Sequence, residues 1–303
     1  MKSSPYVFGA GLFGLACCLV SCADDDHERT IGIRSALIGY PSTIGVVRPN
    51  GLGAQRWMLR TSNTQGPPTL DFYFGPSDVN YVISGDWNGD GLTTTGFVYV
   101  DGGQWRWVLR NSLGNGYPDF DFYYGSPSAP YQDVPVVGDW DGNGTTTIGV
   151  FRRGPDPFNS EGQWLLRDSQ GPGNPELCFI FGKAIADPVT GDWDGNGTTT
   201  IGVTYYAGPP YYRRWELRDS NNTGPTHFTL NWGAYPETGL DTPVTGDWDG
   251  NGTTTVGIFH EEFTQSARWL LRDSNAPGGP LWDWNISYGN IDFADRPVVG
   301  VWD

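Results

Sequence analysis

The sequence predicts an all-β protein, a five-bladed β-propeller of four-stranded blades, with the C-terminal strand completing the N-terminal blade. Three observations carry that expectation. A glycine opening a Gly-Asp-Trp segment recurs at Gly85, Gly138, Gly191 and Gly246, and in altered form at Gly300, at intervals of 53, 53, 55 and 54 residues. Two further strand motifs recur in the same order within each interval. No stretch sustains apolar residues at spacings of three and four, so helices are not supported.

The N-terminus is read first. Residues 1–21 have the plan of a bacterial export signal. Lys2 gives a thin positive start, and Tyr6 to Val20 is apolar and small, too short to span a bilayer comfortably. The run ends in Leu19-Val20-Ser21-Cys22, which resembles a lipoprotein signal in which Cys22 receives the lipid. The alternative is an ordinary signal peptide cut near Ala23. Cys17 and Cys18 would leave with the signal and Cys22 would carry the lipid, which leaves Cys178 as the one remaining cysteine, so no disulfide framework is expected. Residues 22–40 read as an acidic tether that opens with Asp24-Asp25-Asp26. The chain is thus expected to be exported and lipid-anchored at a bacterial outer membrane or cell surface, touching the membrane only through its lipid.

The repeat region spans 41–303. Each period carries a Pro-Val-x-Gly-Asp-Trp strand, a Thr-Ile-Gly-Val-Phe strand, a Trp-x-Leu-Arg strand and a Phe-x-Phe-Gly strand. Blade 3 shows all four, as Pro135 to Trp140, Thr147 to Phe151, Trp164 to Arg167, and Phe179 to Gly182. Four short strands in about 50 residues is the size of one propeller blade. The first period begins at Thr43-Ile44-Gly45-Val46 without its Gly-Asp-Trp strand, and Pro297 to Asp303 supplies one. Pairing those ends would close the ring and remove an exposed sheet edge.

Four loops place short oxygen-bearing side chains at alternate positions. They are Asp86, Asn88 and Asp90; Asp139, Asp141 and Asn143; Asp192, Asp194 and Asn196; and Asp247, Asp249 and Asn251. Such side chains suit Ca2+, which takes six to eight oxygens. They equally suit a tight turn in which Asp and Asn accept backbone N–H groups without an ion. The motif Gly-Asp-Trp-Asp-Gly-Asn-Gly-Thr-Thr-Thr-Ile-Gly-Val resembles the calcium loop and following strand of FG-GAP and VCBS-type propeller repeats. That resemblance implies a propeller blade with a calcium loop between its first two strands. It departs from the family at Thr94, Thr147, Thr200 and Thr255, where an acidic residue is common. Two carboxylates and one amide per loop imply weak binding, at extracellular calcium levels.

Composition excludes some functions. The formal net charge is −16, and lysine occurs only at Lys2 and Lys183. Such a surface repels phosphate backbones, so nucleic acid is not an expected partner. No zinc-protease helix, nucleophile elbow or phosphate loop occurs, and a non-catalytic protein is expected. A glycoside hydrolase needs only two carboxylates, so it is kept as an alternative. The repeated arginines Arg110, Arg167, Arg218 and Arg272 are expected to be structural, pairing with the repeated Asp. Binding is expected where the repeat varies. The segment around Gly208-Pro209-Pro210 carries Tyr205, Tyr206, Tyr211 and Tyr212, flat amphipathic side chains suited to a sugar face or a protein partner. The functional expectation is a surface-anchored binding or adhesion module for a glycan or an envelope or extracellular protein. A purely structural envelope scaffold is the alternative.

Overall fold

A computed structural model describes residues 40–128, 132–154, 156, 160–208, 212–234, 240–261, 267–278, 281–290 and 294–302. The signal segment, Cys22 and all of the tether but Tyr40 lie outside the described residues. Among the described residues there is no helix, and therefore none long and apolar enough to cross a membrane.

Among the described residues twenty strands form five antiparallel four-stranded sheets, the blades of a five-bladed propeller. Blade 1 holds β1 (Thr43–Pro49), β2 (Ala54–Leu59) and β3 (Leu70–Pro76). Blade 2 holds β4 (Tyr81–Gly85), β5 (Thr94–Asp101), β6 (Gln104–Leu109) and β7 (Phe120–Tyr123). Blade 3 holds β8 (Gln132–Gly138), β9 (Thr147–Arg153), β10 (Glu161–Leu166) and β11 (Leu177–Lys183). Blade 4 holds β12 (Asp187–Gly191), β13 (Thr200–Ala207), β14 (Tyr212–Leu217) and β15 (Phe228–Ala234). Blade 5 holds β16 (Leu240–Gly246), β17 (Thr255–Glu261), β18 (Ala267–Leu271) and β19 (Trp284–Ser287). The last strand, β20 (Arg296–Gly300), returns to blade 1 and pairs with β1, from Thr43 opposite Gly300 to Val47 opposite Arg296. The ring closes as the sequence predicts.

Each second strand is buried on both faces because a blade covers each side, which is why Thr-Ile-Gly-Val-Phe reads as a continuous run rather than an alternation. Its glycine is required for space. A Cβ on Gly45, Gly149 or Gly202 would come within 2.6 or 2.7 Å of the leucine opposite, on the third strand of the same blade. The third-strand tryptophans Trp57, Trp107, Trp164, Trp215 and Trp269 are fully buried. Each donates its indole N–H to a fourth-strand carbonyl at 2.8–3.0 Å, so their polar edge is satisfied inside the core.

Neighbouring blades are joined by one reciprocal clasp, repeated at all five junctions. The Thr146 N–H donates to the Asp86 carbonyl at 2.7 Å, and the Thr146 hydroxyl accepts the Asp86 N–H at 3.0 Å. Thr199 and Asp139, Thr254 and Asp192, Ser42 and Asp247, and Thr93 and Val301 repeat the pair. The glycine before each of these loops lets the chains approach. A Cβ on Gly138 would sit 2.5 Å from the Thr199 methyl group and 2.6 Å from the Trp140 ring.

Gly138→Ala is therefore expected to destabilise the protein by about 1–3 kcal/mol through overpacking at a junction. Gly102→Ala, at φ 60° in an open turn with nothing near its Cβ, should cost only about 1 kcal/mol of backbone strain. Urea unfolding of the two variants checks the order.

Candidate functional site

Two sets of residues compete for a functional role: the Asp-Gly-Asn-Gly loops and the outer parts of the blade junctions. The loops come first. In blade 3, the Asp139 carboxylate accepts the N–H groups of Asn143 (3.0 Å) and Gly144 (2.7 Å). Asp141 accepts the Asn143 N–H and its side-chain amide at 3.2 and 3.0 Å. The Asn143 side-chain oxygen accepts the Thr145 N–H at 2.8 Å. Asp192, Asp194 and Asn196 repeat this network, as do Asp247, Asp249 and Asn251. Asp86, Asn88 and Asp90 close the blade 2 loop in a related way, Asp86 accepting the N–H groups of Gly89, Asp90 and Gly91. Positive φ at Gly142 and Gly144 (71° and 89°) makes the curl possible.

Thr147, at the position where the calcium-loop pattern has an acidic residue, is buried and donates its hydroxyl to the Gly138 carbonyl at 3.2 Å. Thr43, Thr94, Thr200 and Thr255 do the same on their own glycines. Among the described residues no group of three or more His, Cys, Asp or Glu side chains gathers as a metal site.

The leading carboxylates are uncomfortable where they are. Burial pushes Asp139 and Asp192 up to about 6, and the adjacent Asp141 and Asp194 carboxylates add to the rise against the backbone N–H bonds. Asp86 and Asp247 are raised in the same direction, again mainly by burial. The repeated arginines do not relieve them, contrary to the pairing expected from sequence. Each folds its guanidinium onto the turn that follows its own strand. Arg110 donates to the Gly114 carbonyl, Arg167 to Asn174, Arg218 to Pro225, and Arg272 to Gly278 at 2.6 Å. The loop tryptophans Trp87, Trp140, Trp193 and Trp248 are buried in the junctions and offer no ligand platform.

The tyrosine cluster does not assemble on one surface. Successive strand residues point to opposite faces, so Tyr205 and Tyr206 on β13 look toward different neighbours. Tyr205 faces blade 3, with the Lys183 ammonium 4.4 Å from its ring and its hydroxyl donating to Glu216 at 2.9 Å. Tyr206 faces blade 5, donating to Asp241 at 3.3 Å beneath the Arg213 guanidinium. Tyr212, half-buried, lies on β14 opposite Ala207, and Tyr211 lies outside the described residues.

The junctions themselves fall into two kinds, decided by two positions of the repeat. In blades 1, 3 and 5 a basic side chain on the second strand meets a carboxylate on or beside the first. Arg48 binds Asp295 at 2.6 and 2.8 Å, Arg152 binds Asp133 at 2.7 and 3.0 Å, and His260 Nδ1 lies 2.6 Å from Asp241. The Asp295 and Asp133 side chains have no solvent exposure at all, so the carboxylate end of each pair is internal to the wall. In blades 2 and 4 the same positions hold Tyr99 with Asn80, and Tyr205 with Ala186, and no such pair forms.

Beside each of these two tyrosine blades lies a cleft of about 380 Å³. One runs between Tyr73–Pro76 of β3 and the face of blade 2 carrying Phe97, Tyr99, Val108 and Asp121. The other runs between Ile180–Lys183 of β11 and the face of blade 4 carrying Glu216, with the 223–226 turn above it. The preceding blade's edge is tied to that turn in both, the Tyr73 N–H bonding the Asn115 side chain at 3.0 Å and the Ile180 N–H bonding Thr223 at 3.2 Å.

In the first cleft, Arg106 donates to both oxygens of Asp121 at 2.7 Å and to Asp101 at 3.0 Å, and Tyr123 donates to Asp101 at 2.7 Å. The Arg106 bond holds Asp121 below the usual carboxylate range, and the Tyr123 and Arg106 bonds do the same for Asp101. Tyr99, Arg106, Tyr123 and Asp121 escape a reading of the sequence that searches for aromatic runs. The signal present in the repeat is the exchange of Arg48, Arg152 or His260 for a tyrosine in alternate blades. No family model, curated protein or solved structure matches the chain.

The raised loop carboxylates set a pH dependence. A folded pKa near 6 against 3.8 for the unfolded group means that the folded state binds more protons between those values. Stability from these groups is complete below 3.8 and is lost as pH rises through about 6. In EDTA the melting temperature is expected to rise as pH is lowered from 7.5 to 5, and the double variant Asp139→Asn, Asp192→Asn should flatten that profile in a calorimetric series.

Proposed function

We propose that the protein is a non-catalytic binding module that holds a glycan or extracellular protein ligand in the clefts between its blades. The observation that carries this reading is the pair of equal clefts at equivalent junctions, each where a tyrosine replaces the cation of an ion pair. A preformed concave site with a few fixed polar groups is the usual form of a ligand site, and repetition on a rigid ring is how a scaffold offers the same chemistry twice. The lipoprotein-like Leu19-Val20-Ser21-Cys22 motif supports export and lipid anchoring through Cys22 at a bacterial surface, with the −16 charge disfavouring nucleic acid. A glycan array tests the cleft reading. The comparison is between the wild-type protein and a variant given the ion pair of the other blades, Asn80→Asp and Tyr99→Arg with Ala186→Asp and Tyr205→Arg. Wild-type binding lost in this folded variant is the expected result. Binding that persists would move the ligand away from the clefts, and no binding by either protein would favour the envelope scaffold.

Calcium in the four loops belongs to the same reading, as a stabiliser of an FG-GAP or VCBS-type ring. The donor set fits a weakly held divalent ion. Each leading carboxylate is half-buried beside a second one, is not neutralised by the repeat arginine, and keeps lone pairs beyond those given to backbone N–H groups. Asp139, Asp141 and Asn143 would hold the ion, with their counterparts in blades 2, 4 and 5. Thr147, turned to the Gly138 carbonyl, would add nothing. Millimolar calcium is expected to raise the melting temperature by several degrees over EDTA at pH 7.5 and by less at pH 5, where protons compete. Equal melting temperatures with and without calcium at pH 7.5 would leave the loops as hydrogen-bonded turns.

A further inference from the structure

The cleft between blades 3 and 4 departs from the repeat at two of the positions that line it. On the third strand, the residue after the buried tryptophan is Met58, Val108, Leu165 and Leu270 in blades 1, 2, 3 and 5, but Glu216 in blade 4. On the fourth strand, the residue after the closing glycine is Pro76, Ser126, Ala234 and Asn290 in blades 1, 2, 4 and 5, but Lys183 in blade 3. Glu216 and Lys183 line the same cleft. A framework role would recur from blade to blade, whereas a ligand on a repeated scaffold needs its contacts only once.

One tyrosine joins the two side chains. The Lys183 ammonium stands 4.4 Å from the Tyr205 ring, and the Tyr205 hydroxyl donates to Glu216 Oε1 at 2.9 Å. Arg214 Nε donates to the same oxygen at 2.8 Å. Glu216 is thus fixed in place at 18% exposure, while its Oε2 has no hydrogen-bond partner among the described residues. Lys183 is the one lysine among those residues and forms no ion pair with them. Glu161 lies opposite it in the β10–β11 register, yet the ammonium is over the Tyr205 ring instead.

A carboxylate where the other blades have apolar side chains carries a burial cost that the fold does not require. The cleft therefore presents an acceptor without a donor and, beside it, a donor without an acceptor. An ammonium only donates and a carboxylate only accepts, so a fitting ligand brings an anionic group for Lys183 and donors for Glu216. The charge of Glu216 is already answered by Arg214, which calls for neutral hydroxyl donors rather than a second cation. A carboxylate carried on a ring of hydroxyl groups meets both requirements.

We infer that the cleft between blades 3 and 4 is a site for one hexuronate residue of an acidic glycan, with Lys183 holding its carboxylate and Glu216 Oε2 accepting its ring hydroxyl groups. This rests on the cleft reading of function and goes beyond it in naming one cleft and one ligand class. The volume of about 380 Å³ lies at the small end of the ~300–1,000 Å³ range of small-molecule sites, which suits a single ring.

The test titrates the full-length protein with the methyl glycosides of glucuronic and galacturonic acid, with the parent neutral glycosides, and with N-acetylglutamate, which has carboxylates but no ring of hydroxyls. Calorimetry and saturation-transfer NMR report binding. A uronide should bind, and the neutral glycosides and N-acetylglutamate should bind about tenfold more weakly or worse. Lys183→Met, which keeps an apolar stem on the Tyr205 ring, should weaken uronide binding about tenfold with an unchanged melting temperature. Glu216→Leu, which installs the side chain found in blades 3 and 5, should abolish binding without lowering the melting temperature. Uronide binding that withstands Lys183→Met, neutral glycosides or N-acetylglutamate binding as tightly as the uronides, or no uronide binding at all overturns the inference. Binding of neutral glycosides alone, lost when Asn80→Asp and Tyr99→Arg fill the other cleft, overturns it while leaving the cleft reading of function standing.

Discussion

The reciprocal clasp between the Asp-Trp loop of one blade and the threonine of the next sets the geometry of the ring. On the loop side it uses only backbone groups, so Val301 serves where the other four junctions have Asp. The clasp fixes how close two inner strands lie, and the glycine before the loop and the tryptophan after it follow from that closeness. Side-chain amides reinforce it. Gln170 bridges the carbonyls of Trp87 and Thr146 at 3.1 and 2.7 Å, and Asn221 and Asn63 act alike at their junctions. Because these bonds are gathered at the inner end of each junction, the outer end can be filled by an ion pair or opened into a cleft without altering the ring.

The repeat made the architecture legible. Five spaced glycines count the blades, and the incomplete first period with the surplus strand at Pro297 to Gly300 announces the closure. The site was less legible, for two physical reasons. First, neighbours along a strand are strangers in space: Tyr205 and Tyr206 look alike as a cluster, yet the period of two sends them to opposite junctions. Second, a cleft between blades is assembled from residues a full repeat apart. Pro76 and Asp121 line one cleft only because the outer strand of one blade lies against the face of the next. The threonine triplet after the loops of blades 3, 4 and 5 shows a third effect. Its second member is the clasp and its third bonds the preceding glycine, so a position that invited a metal ligand belongs to the framework.

Charge is distributed with the same separation of roles. Arg110, Arg167, Arg218 and Arg272 stiffen the outer turns, and their positive charge is spent on carbonyl groups rather than on the acidic loops. Asp71 and Asp121, which accept arginine, titrate low, whereas Asp139 and Asp192, half-buried in their loops beside a second carboxylate, titrate high. One side-chain type thus serves as a permanent acceptor at the cleft and as a proton-sensitive group in the loops.

The exchange of ion pair for tyrosine follows the blade number, odd blades carrying Arg48, Arg152 and His260 and even blades Tyr99 and Tyr205. A closed ring with an odd number of members cannot alternate without a fault: somewhere two of the same kind must stand side by side. Here the fault lies between blades 5 and 1, where His260 with Asp241 neighbours Arg48 with Asp295. Blade 1, on one side of that seam, is the blade assembled from the two ends of the chain. The fivefold ring therefore has only the symmetry of a broken alternation, with one unique junction that gives the molecule an orientation about its own axis.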